Sequence, residues 1–221
     1  MNLVVIDTST RFAGVGVQNF EGKRTTRSWH SSQNHGRELM SAVVDSLGDL
    51  NLEAKDVTHV AAALGPGGFS AIRVGISAAL GLAVSSQLPV LGVTTHDVEL
   101  EKHADLLGKD HVVYTLLPAG RNEVSWTRHS KSDKVKFDVS SPEFLADRLE
   151  ANAVICGEAC DLMVGHVDSK VFRGSDAPTR DPNSLLDIAT RKFAAGESTA
   201  YESLRPIYAR PPSISKPKTP K

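Results

Sequence analysis

Asp7-Thr8-Ser9-Thr10 closes a continuous apolar run from Leu3 to Ile6 and sets one carboxylate beside three hydroxyls. Such a group at a strand end can hold a cation, a phosphate or a water, although an Asp there commonly accepts hydrogen bonds from its own loop. A second group is Gly65-Pro66-Gly67-Gly68, set between the apolar run Val60 to Leu64 and a helix expected from about Phe69 to Val84. Glycines allow a tight turn and close approach, and a helix start offers unpaired N–H groups and a positive dipole end, so an anion could sit there. The loop spells neither GxxxxGK[ST] nor GxGxxG with a distal acid, and a tight turn without ligand is the preferred reading of the loop alone. Arg73, in the first turn of that helix, can grip a phosphate or carboxylate in a fork, or pair with Asp7 or Glu38. These alternatives stay open on the residues alone.

Other chemistry is thin. Ser70 lacks the context of a hydrolase nucleophile, since Ile72 stands where glycine is required. The eight histidines offer no His-x-x-x-His pair: His30 and His35 are five apart, His96 and His103 seven, and surface or cap positions are expected for them. Cys156 and Cys160 are half of a structural zinc site and are read as buried small hydrophobes.

The elements that must position these groups follow from periodicity. Leu3 to Ile6, Ala13 to Val17 and Arg24 to Trp29 are three strands of an antiparallel meander. A helix with Leu39, Met40, Val43, Val44 and Leu47 at helical spacing follows, then the strand, glycine loop and second helix, a strand at Pro89 to Val93 and a helix from Thr94 or Thr95 to about Leu107. The helix 69 to 84 is apolar or small nearly all round, so it predicts burial on all sides. If one face covers a sheet, the face carrying Gly75 and Ala79 needs a second cover that allows close approach, from this chain or from another protein.

The second half repeats the pattern. Strands are expected at His111 to Leu117, Glu123 to Arg128, Lys134 to Val139 and Ala153 to Cys156, with a possible short one at Val171-Phe172; helices open at Ser141-Pro142, at Glu158 and at Asp181-Pro182. Two similar lobes are therefore expected, 1–108 and 109–209, with a cleft between them and a disordered basic tail at 210–221. With 221 residues, 40% hydrophobic content and a formal charge of −1, the chain is an ordinary globular protein with no global field to draw nucleic acid or membrane. No leader or bilayer-spanning run is visible, and the cytoplasm is the expected address.

Asp7-Thr8-Ser9-Thr10, Gly65-Pro-Gly-Gly-Phe-Ser-Ala-Ile-Arg-Val-Gly75, Asn122-Glu-Val124 and Arg205-Pro-Ile-Tyr-Ala-Arg210 together resemble the TsaB (YeaZ) family over residues 1 to about 210. The resemblance implies an α/β actin-like ATPase fold, two ribonuclease-H-like lobes with mixed five-stranded sheets flanked by helices, the second lobe trimmed. It implies a non-catalytic dimerisation or activating subunit that binds a homologous TsaD-type catalytic subunit, with a TsaE-type ATPase, in installing threonylcarbamoyladenosine at position 37 of tRNA. A homodimer is implied when the chain is alone, with tRNA met only through the complex and no membrane contact.

The family's front-lobe helices carry the partner surface, which assigns His35, Leu39, Arg73, Gly75, Ile76, Ala79 and Leu80 to partner binding. Phosphate or nucleotide contact falls to Asp7, Thr8, Ser9, Gly65, Gly67 and Gly68, with no catalytic residue, no metal ligand and no cofactor beyond ATP or ADP at a shared interface. In this fold a phosphate clamp takes one loop from each lobe with an acidic residue for the metal. Here the second loop is Pro118-Ala119-Gly120, where the family often has Asp-Ala-Arg, so half of that clamp is missing. The alternative function is a stand-alone small-molecule kinase or ATPase of the same fold, motivated by Asp7, the glycine loop and Arg73.

Overall fold

A computed structural model describes residues 1–31, 35–107, 109, 111–120, 122–133, 137–168 and 180–210. The meander is present as β1 (Leu3–Asp7), β2 (Phe12–Gln18) and β3 (Arg24–His30), paired antiparallel with Val5 opposite Gly16 and Ala13 opposite Trp29. After α1 (His35–Asp49), β4 (His59–Ala63) joins β1 in parallel; after α2 (Phe69–Val84), β5 (Val90–Val93) joins β4. The sheet order is β3-β2-β1-β4-β5.

The chain continues through α3 (Thr95–Glu101) and α4 (Ala104–Leu107) into β6 (Val112–Pro118), β7 (Val124–His129), β8 (Asp138–Ser140), α5 (Pro142–Ala146) and β9 (Ala153–Cys156). Their order, β8-β7-β6-β9, repeats that of the first sheet with one strand fewer among the described residues. Two α/β lobes of ribonuclease-H type, the second trimmed, are thus observed. The Val171-Phe172 strand and the tail beyond Arg210 fall outside the described residues, as does the start of the strand expected at Lys134. Where one helix to Leu107 was expected, the chain makes α3, a turn at Lys102 and His103, and α4.

Both faces of the first sheet are covered, which is why β1 reads as an unbroken apolar run. Side chains alternate along it: Val4 and Ile6 meet Leu39, Val43 and Leu47 of α1 and Ile72, Ile76 and Ala79 of α2. Leu3 and Val5 meet Leu185, Leu186 and Ile188 of α6 (Pro182–Ala194) on the opposite face. Gly14 lets α6 come close, since a Cβ there would stand 2.7 Å from Cγ of Pro182.

The sequence reading put 182–207 with the second lobe. The packing of this segment is with the first: after α6, the Thr199 and Ile207 N–H groups donate to the carbonyls of Val90 and Leu64 at 2.7 Å, and Leu204 enters the first core. The apolar side of α6, Leu185, Leu186 and Ile188, is buried against Leu3, Val5 and Ala61 of the first sheet.

The face of α2 differs from expectation in the same way. Gly75 and Ala79 turn inward, Gly75 against Thr8 and Ile6 where a Cβ would collide with Oγ1 of Thr8, and Ala79 into the core. The close approach they permit is to the chain's own sheet. The outward edge is Arg73, Ser77, Gly81 and Val84.

Candidate functional site

The hydroxyl loop and the glycine loop meet at the top of the first sheet. Oδ1 of Asp7 accepts from the backbone N–H and the hydroxyl of Ser9 at 2.8 and 2.5 Å, closing the local turn that such an Asp favours. Thr8 donates to the carbonyl of Ala71 in α2 at 2.6 Å, and the Gly68 N–H donates to the Ser9 carbonyl at 2.7 Å. Gly65 has a φ of +101° and lies against the Ile207 carbonyl. Close backbone approach is the use of these glycines, and the partner at Gly65 and Gly67 is the protein itself.

Oδ2 of Asp7 accepts from Nε of Arg180 at 2.8 Å. Arg180 continues through Nη1 to Glu99 of α3 and to Glu158 beyond β9, both at 2.9 Å, and through Nη2 to the Thr10 hydroxyl at 2.5 Å and the Phe12 carbonyl at 3.2 Å. The Arg180 side chain is 3% exposed, and those of Asp7, Glu99 and Glu158 are 7%, 1% and 10% exposed. Burial opposes the charge on Arg180, yet Asp7, Glu99 and Glu158 outweigh it and hold its pKa above the usual value.

A second seam joins the lobes. His96 of α3 is buried, its ring nitrogens 2.9 Å from the Thr115 hydroxyl and 3.1 Å from the Ser125 hydroxyl, and Thr115 meets Nε2 of His129 at 3.1 Å. His96 is thus neither a surface nor a cap residue. A histidine with a hydroxyl at each nitrogen is satisfied in a core.

Between the lobes lies a cavity of about 750 Å³, lined on one side by Thr10, Arg11, Gly68, Phe69 and Ser70 and on the other by Pro118 and Glu158. The second loop closes on itself, with the Ala119 N–H donating to the Glu123 carbonyl at 3.0 Å. The fold implies a metal-bound nucleotide here, and the residues present do not fit one. Both Asp7 oxygens are engaged, and the second loop presents Pro118 without an N–H.

Arg73 pairs with neither Asp7 nor Glu38. Its Nε donates to Oη of Tyr208 at 2.6 Å and its guanidinium lies 3.9 Å from the centre of the Phe69 ring, which stacks on Tyr208. Of the other residues assigned to a partner surface, Leu39, Gly75, Ile76 and Ala79 are buried, Leu80 is half-buried, and the His35 side chain lies outside the described residues. Two of the assigned residues, Leu39 and Arg73, line a groove of about 440 Å³ between α1 and α2, together with Gly36, Met40, Val74, Ser77 and Ala78. Met40 in its wall is 44% exposed, and Val44 farther along α1 and Val84 at the end of α2 are 62% and 55% exposed.

Sequence reasoning missed Arg180, Glu99 and Glu158. Arg180 stands just before a helix cap, where a charged residue is unremarkable, and only the folded chain brings it 173 positions back to Asp7. No helix among the described residues is long and apolar enough to cross a membrane.

The family model for TsaD, tRNA N6-adenosine threonylcarbamoyltransferase, matches residues 29–146. Over 221 residues the chain is 25% identical to the tRNA threonylcarbamoyladenosine biosynthesis protein TsaB of Escherichia coli K12, covering 95% of each. It is 24% identical to the protein of the same name from Haemophilus influenzae, covering 95% of this chain and 94% of that one. Among solved structures it is similar to YeaZ from Pseudomonas aeruginosa, with a TM-score of 0.76 and 24% identity over 94% of this chain and 99% of that chain.

Proposed function

We propose, from the premise that this chain belongs to the TsaD family and within it to the TsaB (YeaZ) group, that it is the non-catalytic partner of a TsaD-type subunit. Its pathway is tRNA threonylcarbamoyladenosine biosynthesis. The observation that carries the reading is the α1–α2 face. Two helices whose inner sides complete the first core leave Met40 exposed on the groove between them, and Val44 of α1 and Val84 of α2 exposed elsewhere on the same two helices. Exposed apolar side chains on two helices that frame a groove mark a protein contact.

The groove and the interlobe cavity share Gly36 and Val74. That adjacency supports an ATP or ADP held at the shared interface rather than by this chain alone. A TsaE-type ATPase and self-association through the same face when the partner is missing belong to the same proposal.

Co-expression with the TsaD-type subunit of the same source, followed by sizing and by modification of unmodified tRNA, tests it. Ser77→Arg and Val44→Glu point outward, so they should weaken co-elution by about tenfold or more while leaving the melting temperature unchanged. Gly75→Arg and Ala79→Glu strike the chain's own sheet and should unfold it. Full-strength binding by folded Ser77→Arg and Val44→Glu variants would show that this face is not the one used.

A further inference from the structure

We infer that Arg180 is the resident cation between the lobes, doing for three gathered carboxylates what a bound metal ion would otherwise have to do. The inference is independent of the docking reading. Asp7 ends β1 of the first lobe, Glu99 sits in α3, and Glu158 follows β9 of the second lobe; all three carboxylates are at least nine-tenths buried, and all three converge on one guanidinium. Carboxylates this deep need a positive charge among them, since each alone would protonate or leave the interior.

Arginine supplies that charge as a planar fork that keeps it at any ordinary pH. It makes five contacts here: three to carboxylates, one to the Thr10 hydroxyl and one to the Phe12 carbonyl. A divalent ion would draw the same carboxylates in to about 2.0–2.6 Å and leave positions for water and phosphate. The fork leaves none.

Arg180 immediately precedes Asp181, which caps α6, so the cation is carried by the helix that covers the first sheet. It cannot leave the cleft without disturbing that helix. The charge balance of the cleft is therefore part of the fold rather than a property of a loaded state.

The full chain is compared as wild type, Arg180→Ala, Arg180→Lys and Arg180→Ala with Glu99→Gln, by thermal unfolding with and without millimolar Mn²⁺ and by electron paramagnetic resonance of free Mn²⁺. The wild type should take up no ion and keep its melting temperature. Arg180→Ala should melt lower, bind one Mn²⁺ and recover part of the loss, and the added Glu99→Gln should abolish that response. Arg180→Lys should stay indifferent to the ion.

If Arg180→Ala folds only in Mn²⁺, the inference stands. Uptake of Mn²⁺ by the wild type or by Arg180→Lys overturns it. So does a lower-melting Arg180→Ala that takes up no Mn²⁺, because the contact would then be a structural ion pair only. Should Arg180→Ala fail to fold under either condition, ion uptake by Arg180→Lys alone decides the matter.

Discussion

Gly67 meets the carbonyl oxygen of Ser9 with no space for a side chain between them. The glycine loop is therefore built against the hydroxyl loop of β1, and the Gly68 N–H group is spent on the same carbonyl. What reads as a cradle for a phosphate is in large part a joint between two loops of one lobe.

A Cβ at position 67 must displace backbone, which is less yielding than a side chain. Gly67→Ala should cost about 1–3 kcal/mol, read as a lower midpoint in urea with an unchanged slope. Gly81→Ala supplies the contrast, because nothing lies within 4 Å of a Cβ on that outward turn of α2. It should stabilise by about 0.5–1 kcal/mol through helix propensity. Equal effects at the two positions would mean that the loop can shift to make room.

Local pattern made the elements of the first lobe legible: β1 to β5, α1 and α2 lie where alternation and helical spacing put them, and the helices expected after Thr94 or Thr95, at Ser141-Pro142 and at Asp181-Pro182 open on the caps Thr94, Ser141 and Asp181. The break between α3 and α4 was not legible, because no glycine or proline stands at Lys102 and His103. The direction of the α2 faces was not legible either. In a helix apolar nearly all round, periodicity does not say which side meets the sheet, and Gly75 and Ala79 were assigned outward for their smallness alone. The Arg180 cluster was beyond reach for a different reason: its members are far apart in sequence, and apart from Asp7 each looks like an ordinary surface charge.

The two thiols give a pH dependence with a definite sign. Burial first, then Glu99 and Asp161, pushes Cys160 up to about 12; burial, Glu99 and Cys160 raise Cys156 well above the ordinary thiol range. The folded state thus holds these protons more tightly than the unfolded chain does. Their contribution is complete below the unfolded thiol pKa and is lost as pH rises from about 9 toward 12. Unfolding in urea across that range should show a loss on the order of 1–3 kcal/mol that is smaller in the Cys156→Ala, Cys160→Ala double variant. The same alkaline slope in both proteins would assign the loss to other groups.

Tyr208 decides what Arg73 is for. The segment that carries it crosses back over the first lobe, with Ile207 bonded to Leu64, and Arg210 beyond it pairs with Glu123 of the second lobe. Tyr208 lies on Phe69 with ring centres 4.6 Å apart and accepts the Nε hydrogen of Arg73, so the guanidinium is held over the Phe69 ring at the start of α2. If this contact is structural, Tyr208→Phe should cost about 0.5–1 kcal/mol for one exposed hydrogen bond, and Tyr208→Ala about 1–2 kcal/mol for the stack as well. Backbone amides from Gly67 to Ser70 should then exchange faster with deuterium in the alanine variant, because the strap no longer presses on the loop. If Arg73 serves an anion instead, releasing it with Tyr208→Phe would raise affinity for inorganic phosphate with no loss of stability, and that result would return the glycine loop to ligand binding.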